Sequence, residues 1–451
     1  MDETQQRELA LELVGAALGA VDPAQAVARH LRVEPAGSAP AVLWVDSHAY
    51  DLAAVERLLV IGAGKAGAGM AAAVEALLGA RIAAGWVNVG RGYEPQRPLQ
   101  HIQIHSAGHP LPDAAGLEGT RHILNLLDQL TAGDLVLVLL SGGASALLVQ
   151  PAPGVSLGNL QRLTDALLRS GATIQELNAV RKHLSQVKGG GLARRIAHSD
   201  AQAAVLVLSD VVGSPLDVIG SGPCAPDPTT FADAWAVLER YRLTDSAPRA
   251  ALAHLERGLR GEVEETPKPG EPFFAHVHHV IVADNRTAAQ AAAARAAELG
   301  CQVHLLTTFL EGEAREVGQV LAALAKEQAR YHRPLPRPVC LVLGGETTVT
   351  VRGAGHGGRN QELALAAALA LHGWEDVLVV TLATDGVDGP TDAAGAIAAG
   401  HTVARARALG LEPWDHLERN DAYPLFAALG DLILTGPSGT NVNDLAFVLV
   451  F

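Results

Sequence analysis

The chain contains little cysteine, lysine or aromatic side chain. Among its 451 residues are three cysteines and 4% aromatic residues. Cys224, Cys301 and Cys340 are isolated and odd in number, which argues against a disulfide framework and against paired zinc ligands. Buried or incidental thiols in a reducing compartment are the simplest interpretation. We therefore expect a cytoplasmic protein.

Long apolar runs are missing as well. No stretch of ~20 apolar residues lacks glycine breaks or charges, so no membrane-spanning helix is predicted. The N-terminal segment MDETQQRELALELVGAALGAV begins acidic and polar, which is typical of an amphipathic surface helix and not of a signal peptide. The net charge of −14 argues against nucleic acid as a partner.

The apolar segments that are present predict an α/β protein of more than one domain. A length of 451 residues with 49% hydrophobic content exceeds one ordinary core. Strand and helix patterns alternate in the first half, as in a parallel sheet. We predict a parallel-sheet domain over 1–230, a helical connection over 231–272 and a smaller α/β domain over 273–451. The expected strands of that last domain are HVHHVIVAD, CQVHLLT, VCLVLGG, TTVTVRG, DVLVVTLA and DLILTG.

Polar, glycine-rich turns follow several of the apolar strands. GAGKAG follows LLVIG, SGGASA follows LVLVLL, SDVVGSP follows AAVLVL, and TDGVDGPTD follows LVVTLA. In an open α/β sheet, such strand ends form the crevice where ligands bind. The placement of these turns favours an enzyme.

The first turn carries Gly62, Gly64 and Lys65, with the spacing of a dinucleotide-binding loop. However, WVNV runs into Gly90-Arg91-Gly92, so no acidic ribose ligand follows the next strand. Ala66 stands where a P-loop would have Ser or Thr. Two interpretations remain: an anion-binding turn that carries a lysine, or a structural tight turn.

Three more segments offer binding groups. The turn from Ser141 through Gly142 and Gly143 to Ser145 suits an amide nest for an anion. Cations cluster downstream at Arg181, Lys182 and Lys188, which either hold a charged substrate or form a solvated helix face. Because the chain has only five lysines, the lysines in these segments suggest a need for a compact point charge.

The carboxylates at strand ends allow several roles. Asp210 follows a strand and could cap a turn, bind a cation or take a proton. Asp385 and Asp388 suit magnesium, a sugar-like hydroxyl group or plain tight turns. Arg359 and Asn360 open a long helix, where a guanidinium and helix amides attract anions.

Taken in order, these motifs carry a resemblance to a known family. GAGKA, SGGASALL, NAVRKHLSQVKGGGLA, LSDVVGSPLDVIGSGPC, DNRTAA, GGETTV, GGRNQELALA, TDGVDGPTDAAGA and TGPSGTNVNDL resemble the MOFRL-type (class II) glycerate 2-kinases. The resemblance covers approximately residues 5 to 448.

The resemblance implies ATP-dependent phosphorylation of D-glycerate at its 2-hydroxyl, giving 2-phosphoglycerate and ADP with Mg²⁺. It also implies a Rossmann-like N-terminal domain and a smaller α/β MOFRL domain, with a cleft between them. By motif position, Lys65, Asp210 and Arg359 are the expected catalytic residues. Lys65 and Arg359 would hold the glycerate carboxylate and the γ-phosphate, and Asp210 would orient or deprotonate the 2-hydroxyl or ligate the metal.

The expected binding residues come from the same motifs. For substrate or nucleotide they are Gly62, Gly64, Ser141, Gly142, Gly143, Ser145, Arg181, Lys182, Lys188, Asn285, Glu346, Asn360, Asp385 and Asp388. For the metal they are Asp210 and Asp385. The expected partner is the small-molecule substrate alone, with no nucleic acid or membrane, on a monomer or homodimer.

Two alternatives stay open. An NAD(P)-dependent hydroxypyruvate reductase would use the Gly62 turn for the dinucleotide, with Arg91 on a 2′-phosphate. A non-catalytic sensor of phosphorylated metabolites could use the same glycine nests, but it would not need Asp210. Pyridine-nucleotide binding would identify the reductase, and glycerate binding without turnover the sensor.

Overall fold

The computed structural model describes residues 1–34, 41–95 and 97–451. Its strands are β1 (Leu31–Glu34), β2 (Val42–Val45), β3 (His48–Asp51), β4 (Leu58–Ala63), β5 (Ile82–Gly90), β6 (Ile102–Ala107), β7 (Leu135–Leu140), β8 (Gln202–Leu208), β9 (Val277–Ala283), β10 (Gln302–Leu310), β11 (Val339–Gly345), β12 (Val377–Ala383), β13 (Gly395–Ala399), β14 (Leu432–Ile433) and β15 (Asp444–Val450).

Helices alternate with most of these strands. They are α1 (Glu3–Ala20), α2 (Pro23–His30), α3 (Gly67–Leu78), α4 (Ala114–Leu127), α5 (Ala144–Leu147), α6 (Leu157–Arg169), α7 (Ile174–His183), α8 (Gly191–Ala197), α9 (Phe231–Arg240), α10 (Arg249–Leu259), α11 (Asn285–Glu298), α12 (Ala314–Tyr331), α13 (Arg359–Ala370), α14 (Thr402–Ala408), α15 (Pro413–Glu418) and α16 (Ala422–Leu429).

The chain forms two compact units. The N-terminal unit contains Pro23–Ser209 and Ser214–Val282, and the C-terminal unit contains Met1–Asp22, Asp210–Gly213 and Ala283–Phe451. Helix α1 thus belongs to the unit that holds most of the second half of the chain. Helices α9 and α10 belong to the N-terminal unit. The division at residues 230 and 272 stays a prediction.

The N-terminal unit contains a six-stranded sheet in the order β6-β5-β4-β7-β8-β9. The pairs β4–β5, β4–β7, β5–β6 and β7–β8 are all parallel. Because β4 lies between β5 and β7, the strand order reverses there. In open α/β sheets that reversal marks the ligand crevice at the carboxyl ends of the strands.

Strand β9 corrects one expectation. The segment HVHHVIVAD was predicted to begin the second α/β series, but β9 lies beside β8 at the edge of the first sheet. In the N-terminal unit, helices α6, α7, α9 and α10 pack on one another, and their buried side chains form one cluster. Members of that cluster include Leu163, Val180, Leu238 and Leu255. A small antiparallel sheet, β1-β2-β3, completes the unit.

The C-terminal unit is built on a mixed six-stranded sheet in the order β10-β11-β15-β12-β13-β14. Strands β10 and β11 are parallel, and β15 is antiparallel to both β11 and β12. Helices α12 and α13 pack closely on this sheet. A Cβ on Gly318 would lie 2.4 Å from the carbonyl oxygen of Leu363, so this helix contact requires glycine.

Two predicted features of this sheet differ from the structure. TTVTVRG forms no strand and contributes only an isolated bridge between Thr348 and Glu313. The central strand β15, and β13 on the far side of β12, were not in the predicted series. The register explains why β15 matters, since Asp444 lies opposite both Gly345 and Ala383. The carboxyl ends of β11 and β12 therefore flank the beginning of β15.

Two sequence-based expectations concern membranes and thiols. Among the described residues, no single helix is long and apolar enough to cross a membrane, and α1 with α2 passes that test only when the two are taken together. The three cysteines are free and buried. Burial raises the pKa of the Cys224 thiol to about 12.

Candidate active site

The turns after β4 and β7 interlock at the point where the strand order reverses. The Lys65 amide donates to the Gly142 carbonyl at 2.8 Å, and the Ala66 amide donates to Ser141 Oγ at 3.1 Å. A Cβ on Gly64 would lie 2.0 Å from Ser141 Oγ, and one on Gly62 would lie 2.4 Å from the Leu139 carbonyl. Glycine at both positions is therefore needed for protein packing.

Lys65 lies beside a histidine that the sequence did not indicate. Gly143 has a φ of +85°, and a Cβ there would lie 2.9 Å from His109 Cδ2 and 3.5 Å from Lys65 Cγ. Burial, and then the charge of Lys65, lower the pKa of His109. The Lys65 ammonium also lies 5.9 Å from the centre of the Tyr93 ring. His109 comes shortly after β6, so its position at a strand end was the available signal.

Lys188 lies on the other side of the same turn. It is 5% exposed, and its ammonium donates to the carbonyls of Ser145 at 2.6 Å and Leu148 at 3.2 Å. Burial, and then the charge of Arg181, lower the pKa of Lys188 to about 7. Lys65 and Lys188 therefore both lie next to the Ser141–Ser145 turn.

Arg181 is half-buried on α7, and burial lowers the pKa of its guanidinium. The hydroxyls near Lys188 form a short chain: Ser145 Oγ is 2.5 Å from Ser221 Oγ, which donates to Asn178 Oδ1 at 3.1 Å. Ser221 and Asn178 were not among the predicted residues.

Lys182, the neighbour of Arg181 in sequence, has a different environment. It is 2% exposed, and its ammonium lies 3.2 Å from both Asp217 and Asp227. Asp227 is fully buried and also accepts from Thr229 and Thr266. The Lys182 ammonium is thus neutralised inside the protein by two carboxylates, and its role as a substrate ligand stays a prediction.

Asp210 lies directly after Ser209, at the end of β8, and is half-buried. It belongs to the C-terminal unit. The predicted position at a strand end is confirmed, whereas its role stays a prediction.

In the C-terminal unit, Arg359 is the centre of an ion-pair network. Its Nε and Nη2 donate to the Asp444 carboxylate at 2.5 and 3.0 Å, and its Nη1 lies 2.7 Å from Glu346 Oε1. Burial alone would lower the pKa of Arg359, but hydrogen bonding to Asp444 and the charges of Asp444 and Glu346 outweigh burial and raise it. The guanidinium is fixed and charged.

Asparagines complete this network. Asn443, which has a φ of +67°, donates to Glu346 Oε2 at 2.7 Å. Asn285, at the start of α11, donates to the carbonyls of Val442 and Asp444 at 2.8 and 2.9 Å. These contacts bring the predicted residues Asn285, Glu346 and Arg359 to one edge of the sheet. Asp444 and Asn443 were missed, although the motif that contains them had been recognised.

The two remaining acidic candidates, Asp388 and Asp385, have different environments. Asp388 is 1% exposed and accepts from the amides of Asn360 and Gln361 at 3.0 and 2.9 Å. It therefore caps the beginning of α13, and the interpretation of Asp385 and Asp388 as a pair is corrected. Asp385 is half-buried, and one of its carboxylate oxygens accepts from the Val387 amide at 3.1 Å.

No group of three or more His, Cys, Asp or Glu side chains within the described ranges forms a metal site. A magnesium ion that accompanies a nucleotide needs only one or two carboxylates, because phosphates and water supply the other oxygens. Asp385, with one short backbone contact, fits such a role.

Comparisons with known proteins agree with this architecture. A domain of unknown function (DUF4147) matches residues 9–256, and the MOFRL family matches residues 339–444. The Pyrococcus horikoshii protein named glycerate 2-kinase is 42% identical over 445 residues, which cover 98% of this chain and 97% of that protein. The crystal structure of Thermotoga maritima glycerate kinase superposes with a TM-score of 0.88 at 41% identity, over 99% of this chain and 100% of that one.

A third relative carries a different name. A protein of Agrobacterium vitis is 39% identical over 451 residues, covering 100% of this chain and 95% of that protein, and has the provisional name hydroxypyruvate reductase. The family matches and the full-length identities define a two-unit α/β enzyme of the kinase class. The chain belongs to the MOFRL-type (class II) glycerate 2-kinase family.

Proposed function

We propose that this protein transfers the γ-phosphoryl group of ATP to the 2-hydroxyl of D-glycerate, giving 2-phosphoglycerate and ADP. The observation that carries the proposal is the set of cations at the β4 and β7 turns. Lys65 lies beside Gly143 and His109, and Lys188 is held by the neutral carbonyls of Ser145 and Leu148. Both substrates are anions, and positive charge at these turns is what they require.

The chemistry needs little covalent participation by the protein. Phosphoryl transfer depends on in-line positioning and on neutralising charge on the moving group. Lys65 serves this purpose from the first turn, and Arg359 serves it from the beginning of α13. Asp210 orients or deprotonates the 2-hydroxyl, since a carboxylate at a strand end can accept a proton from an alcohol.

The balance of charged side chains in the C-terminal unit supports a requirement for Mg²⁺. Arg359 is already compensated by Asp444 and Glu346, and Asp385 adds a further carboxylate at the same sheet edge. A nucleotide phosphate chain there would meet net negative charge. Asp385, and Asp210 as a second candidate, would hold the ion, which would offset charge on the nucleotide phosphates.

Two features count against the reductase. The Ala66 amide, which a dinucleotide pyrophosphate would use, already bonds to Ser141 Oγ. Arg91, the candidate for a 2′-phosphate, lies 2.5 Å from the Asp113 carboxylate.

The sensor interpretation leaves the Asp210 carboxylate without a purpose. We further propose that the enzyme acts in the cytoplasm, as a monomer or homodimer, on this small-molecule substrate.

The test is product identification. Purified protein is incubated with D-glycerate, ATP and Mg²⁺, and the product is identified by phosphorus NMR, beside a reaction with NAD(P)H and hydroxypyruvate. Formation of 2-phosphoglycerate supports the proposal, whereas 3-phosphoglycerate would overturn the assignment of the hydroxyl. Consumption of NAD(P)H without ADP formation would favour the reductase.

A further inference from the structure

We propose that the Ser145 hydroxyl selects the substrate by accepting a hydrogen bond from the 3-hydroxyl of D-glycerate. The inference rests on the proposed function and gives one group of the substrate its partner in the protein. Such a contact distinguishes glycerate from three-carbon acids that lack the 3-hydroxyl, of which lactate is the simplest.

Ser145 belongs to the turn on which the candidate site is built. This turn follows β7, next to the strand β4 at which the strand order reverses. Its Gly142 carbonyl accepts from the Lys65 amide at 2.8 Å, and a Cβ on Gly143 would lie 3.5 Å from Lys65 Cγ. Ser145 itself is only half-buried, so part of its surface stays open to a small ligand.

The direction of the hydrogen bonds around Ser145 decides what its hydroxyl can bind. Ser221 Oγ donates to Asn178 Oδ1 at 3.1 Å, and Ser145 Oγ lies 2.5 Å from Ser221 Oγ. A hydroxyl has one proton to donate. Because Ser221 uses its proton on Asn178, Ser145 is the donor in the contact between the two serines. Towards any other group, the Ser145 oxygen can therefore only accept.

Lys188 supports the same orientation independently. An ammonium group can only donate, and the Lys188 ammonium lies 3.4 Å from Ser145 Oγ while it donates to the Ser145 carbonyl at 2.6 Å. The Ser145 hydroxyl thus has a donor on one side and Ser221 on the other, which turns its proton towards Ser221. Lys188 and Ser221 are both buried, so both partners are fixed inside the protein.

The backbone of Ser221 indicates that its hydroxyl is needed. Its φ is +63°, a left-handed conformation that costs free energy for a residue with a Cβ. Glycine would adopt this conformation with less strain, so the reason for a serine has to lie in its side chain. That side chain contacts Ser145 and Asn178. The strain is therefore explained by the orientation of the Ser145 hydroxyl.

A hydroxyl that only accepts fits an alcohol and not an anion. Ionised carboxylates and phosphates present acceptor oxygens alone, which would face the lone pairs of Ser145. Glycerate has two alcohols, and in the proposed function the 2-hydroxyl donates to Asp210. The 3-hydroxyl is then the alcohol left for Ser145. The ribose of ATP also carries hydroxyls, which the experiment separates from those of glycerate.

The experiment compares D-glycerate with D-lactate, which keeps the carboxylate and the 2-hydroxyl but lacks the 3-hydroxyl. The ratio of the two kcat/KM values is measured for wild type, Ser145→Ala and Ser221→Gly. Ser170→Ala is the matched control, because Ser170 is exposed and its hydroxyl donates to the Ala166 carbonyl within α6. ATP is compared with 2′-deoxy-ATP and 3′-deoxy-ATP in the same way. Circular dichroism confirms that each variant is folded.

Ser145→Ala is expected to lower the preference for D-glycerate over D-lactate by ~10- to 100-fold, because only glycerate loses a hydrogen-bond partner. Ser221→Gly suits the positive φ but releases the Ser145 proton, so the preference should fall ~3- to 10-fold in a folded protein. Ser170→Ala should match wild type. The preference between ATP and its deoxy forms should be the same in every variant.

An unchanged glycerate-to-lactate preference in Ser145→Ala would overturn the inference. A change confined to the preference between ATP and its deoxy forms would place the contact on the ribose and would also overturn it. If Ser145→Ala does not fold, Ser221→Gly decides by the same ratio, and an unchanged value would again overturn the inference.

Calorimetric binding of D-glycerate and D-lactate without ATP separates this inference from the proposed function. A binding preference that depends on Ser145, without phosphorylation, would refute only the kinase activity. Phosphorylation with a preference that does not depend on Ser145 would refute only the contact with the 3-hydroxyl.

Discussion

The Asp444 carboxylate holds the Arg359 guanidinium along one edge, with contacts of 2.5 and 3.0 Å to Nε and Nη2. Asp444 is 7% exposed and begins the central strand of its sheet. On one side the arginine is therefore fixed by the carboxylate of a strand residue. On the other side, its Nη1 contacts the half-exposed Glu346.

Asp444→Asn is expected to lower kcat/KM by ~10- to 100-fold, because it removes charge-assisted hydrogen bonds that position Arg359. Glu346→Gln is the comparison and should have a smaller effect, since Glu346 is more exposed and makes one contact with the arginine. Steady-state kinetics with both substrates measures the change. Equal kcat/KM values for Asp444→Asn and wild type would contradict the positioning role.

Lys182→Met tests the distinction between Lys182 and Arg181. Removing the lysine leaves Asp227 buried and uncompensated, which should lower the free energy of unfolding by about 3–5 kcal/mol. KM for D-glycerate should stay within about twofold of wild type in the folded fraction. Urea unfolding and kinetics check the two parts, and a large KM change without loss of stability would show that Lys182 contacts the substrate.

Gly143→Ala should impair both stability and activity. Its φ of +85° strains an L-residue, and the added Cβ would press against His109 beside Lys65. Gly171→Ala separates backbone strain from the contact with His109. Gly171 has a φ of +78°, but a Cβ there would meet no atom within 4 Å. We expect about 1 kcal/mol of destabilisation at Gly171 with normal activity. At Gly143 we expect a larger loss and a kcat/KM reduced ~10-fold or more. Similar kinetics in both variants would show that the turn tolerates the side chain.

The lowered pKa of Lys188 predicts that the stability of the protein depends on pH. Burial lowers its pKa from 10.5 to about 7, so between these values the unfolded chain binds more protons than the folded chain. The free energy of unfolding should therefore rise with pH in wild type relative to Lys188→Met, by at most about 1.4 kcal/mol per pH unit. Arg181, whose charge also lowers the pKa of Lys188, is an arginine and stays charged over this range. Urea unfolding at pH 7, 8 and 9 measures the difference, and parallel curves would contradict it.

Asp210→Asn should leave the fold intact and lower kcat by ~100-fold or more, because an amide cannot accept the proton of the 2-hydroxyl. KM for D-glycerate should change little. Single-turnover kinetics separates chemistry from product release. Unchanged turnover would remove Asp210 from the mechanism.

Local pattern was sufficient to predict the strands whose ends carry the site. LLVIGA and LVLVLL are continuous apolar runs followed by glycine turns, and both form fully buried strands. Sheet membership was harder, because it depends on pairing between distant segments. The strand β9 was predicted, but its place beside β8 has no signature in its own residues. TTVTVRG has β-branched residues typical of a strand, yet only Thr348 forms a bridge.

The same distinction applies to the site. Residues at strand ends, such as Lys65 and Glu346, could be found from sequence because parallel strands bring their carboxyl ends together. The different environments of Arg181 and Lys182 could not be found from sequence. Neighbouring residues of a helix face different directions, and the burial of Asp227 depends on tertiary packing. Asp444 was within a recognised motif, but its pairing with Arg359 spans 85 residues.

Strand β15 follows β10–β14 in the sequence and yet lies between β11 and β12. During synthesis on the ribosome, β11 and β12 emerge well before the strand that joins them, because they precede it in the sequence. Until β15 inserts, each has an open edge, and Arg359 lacks its main partner. The positioning of Arg359 is thereby coupled to completion of the sheet, so that a partly synthesised chain lacks the carboxylate that holds this arginine.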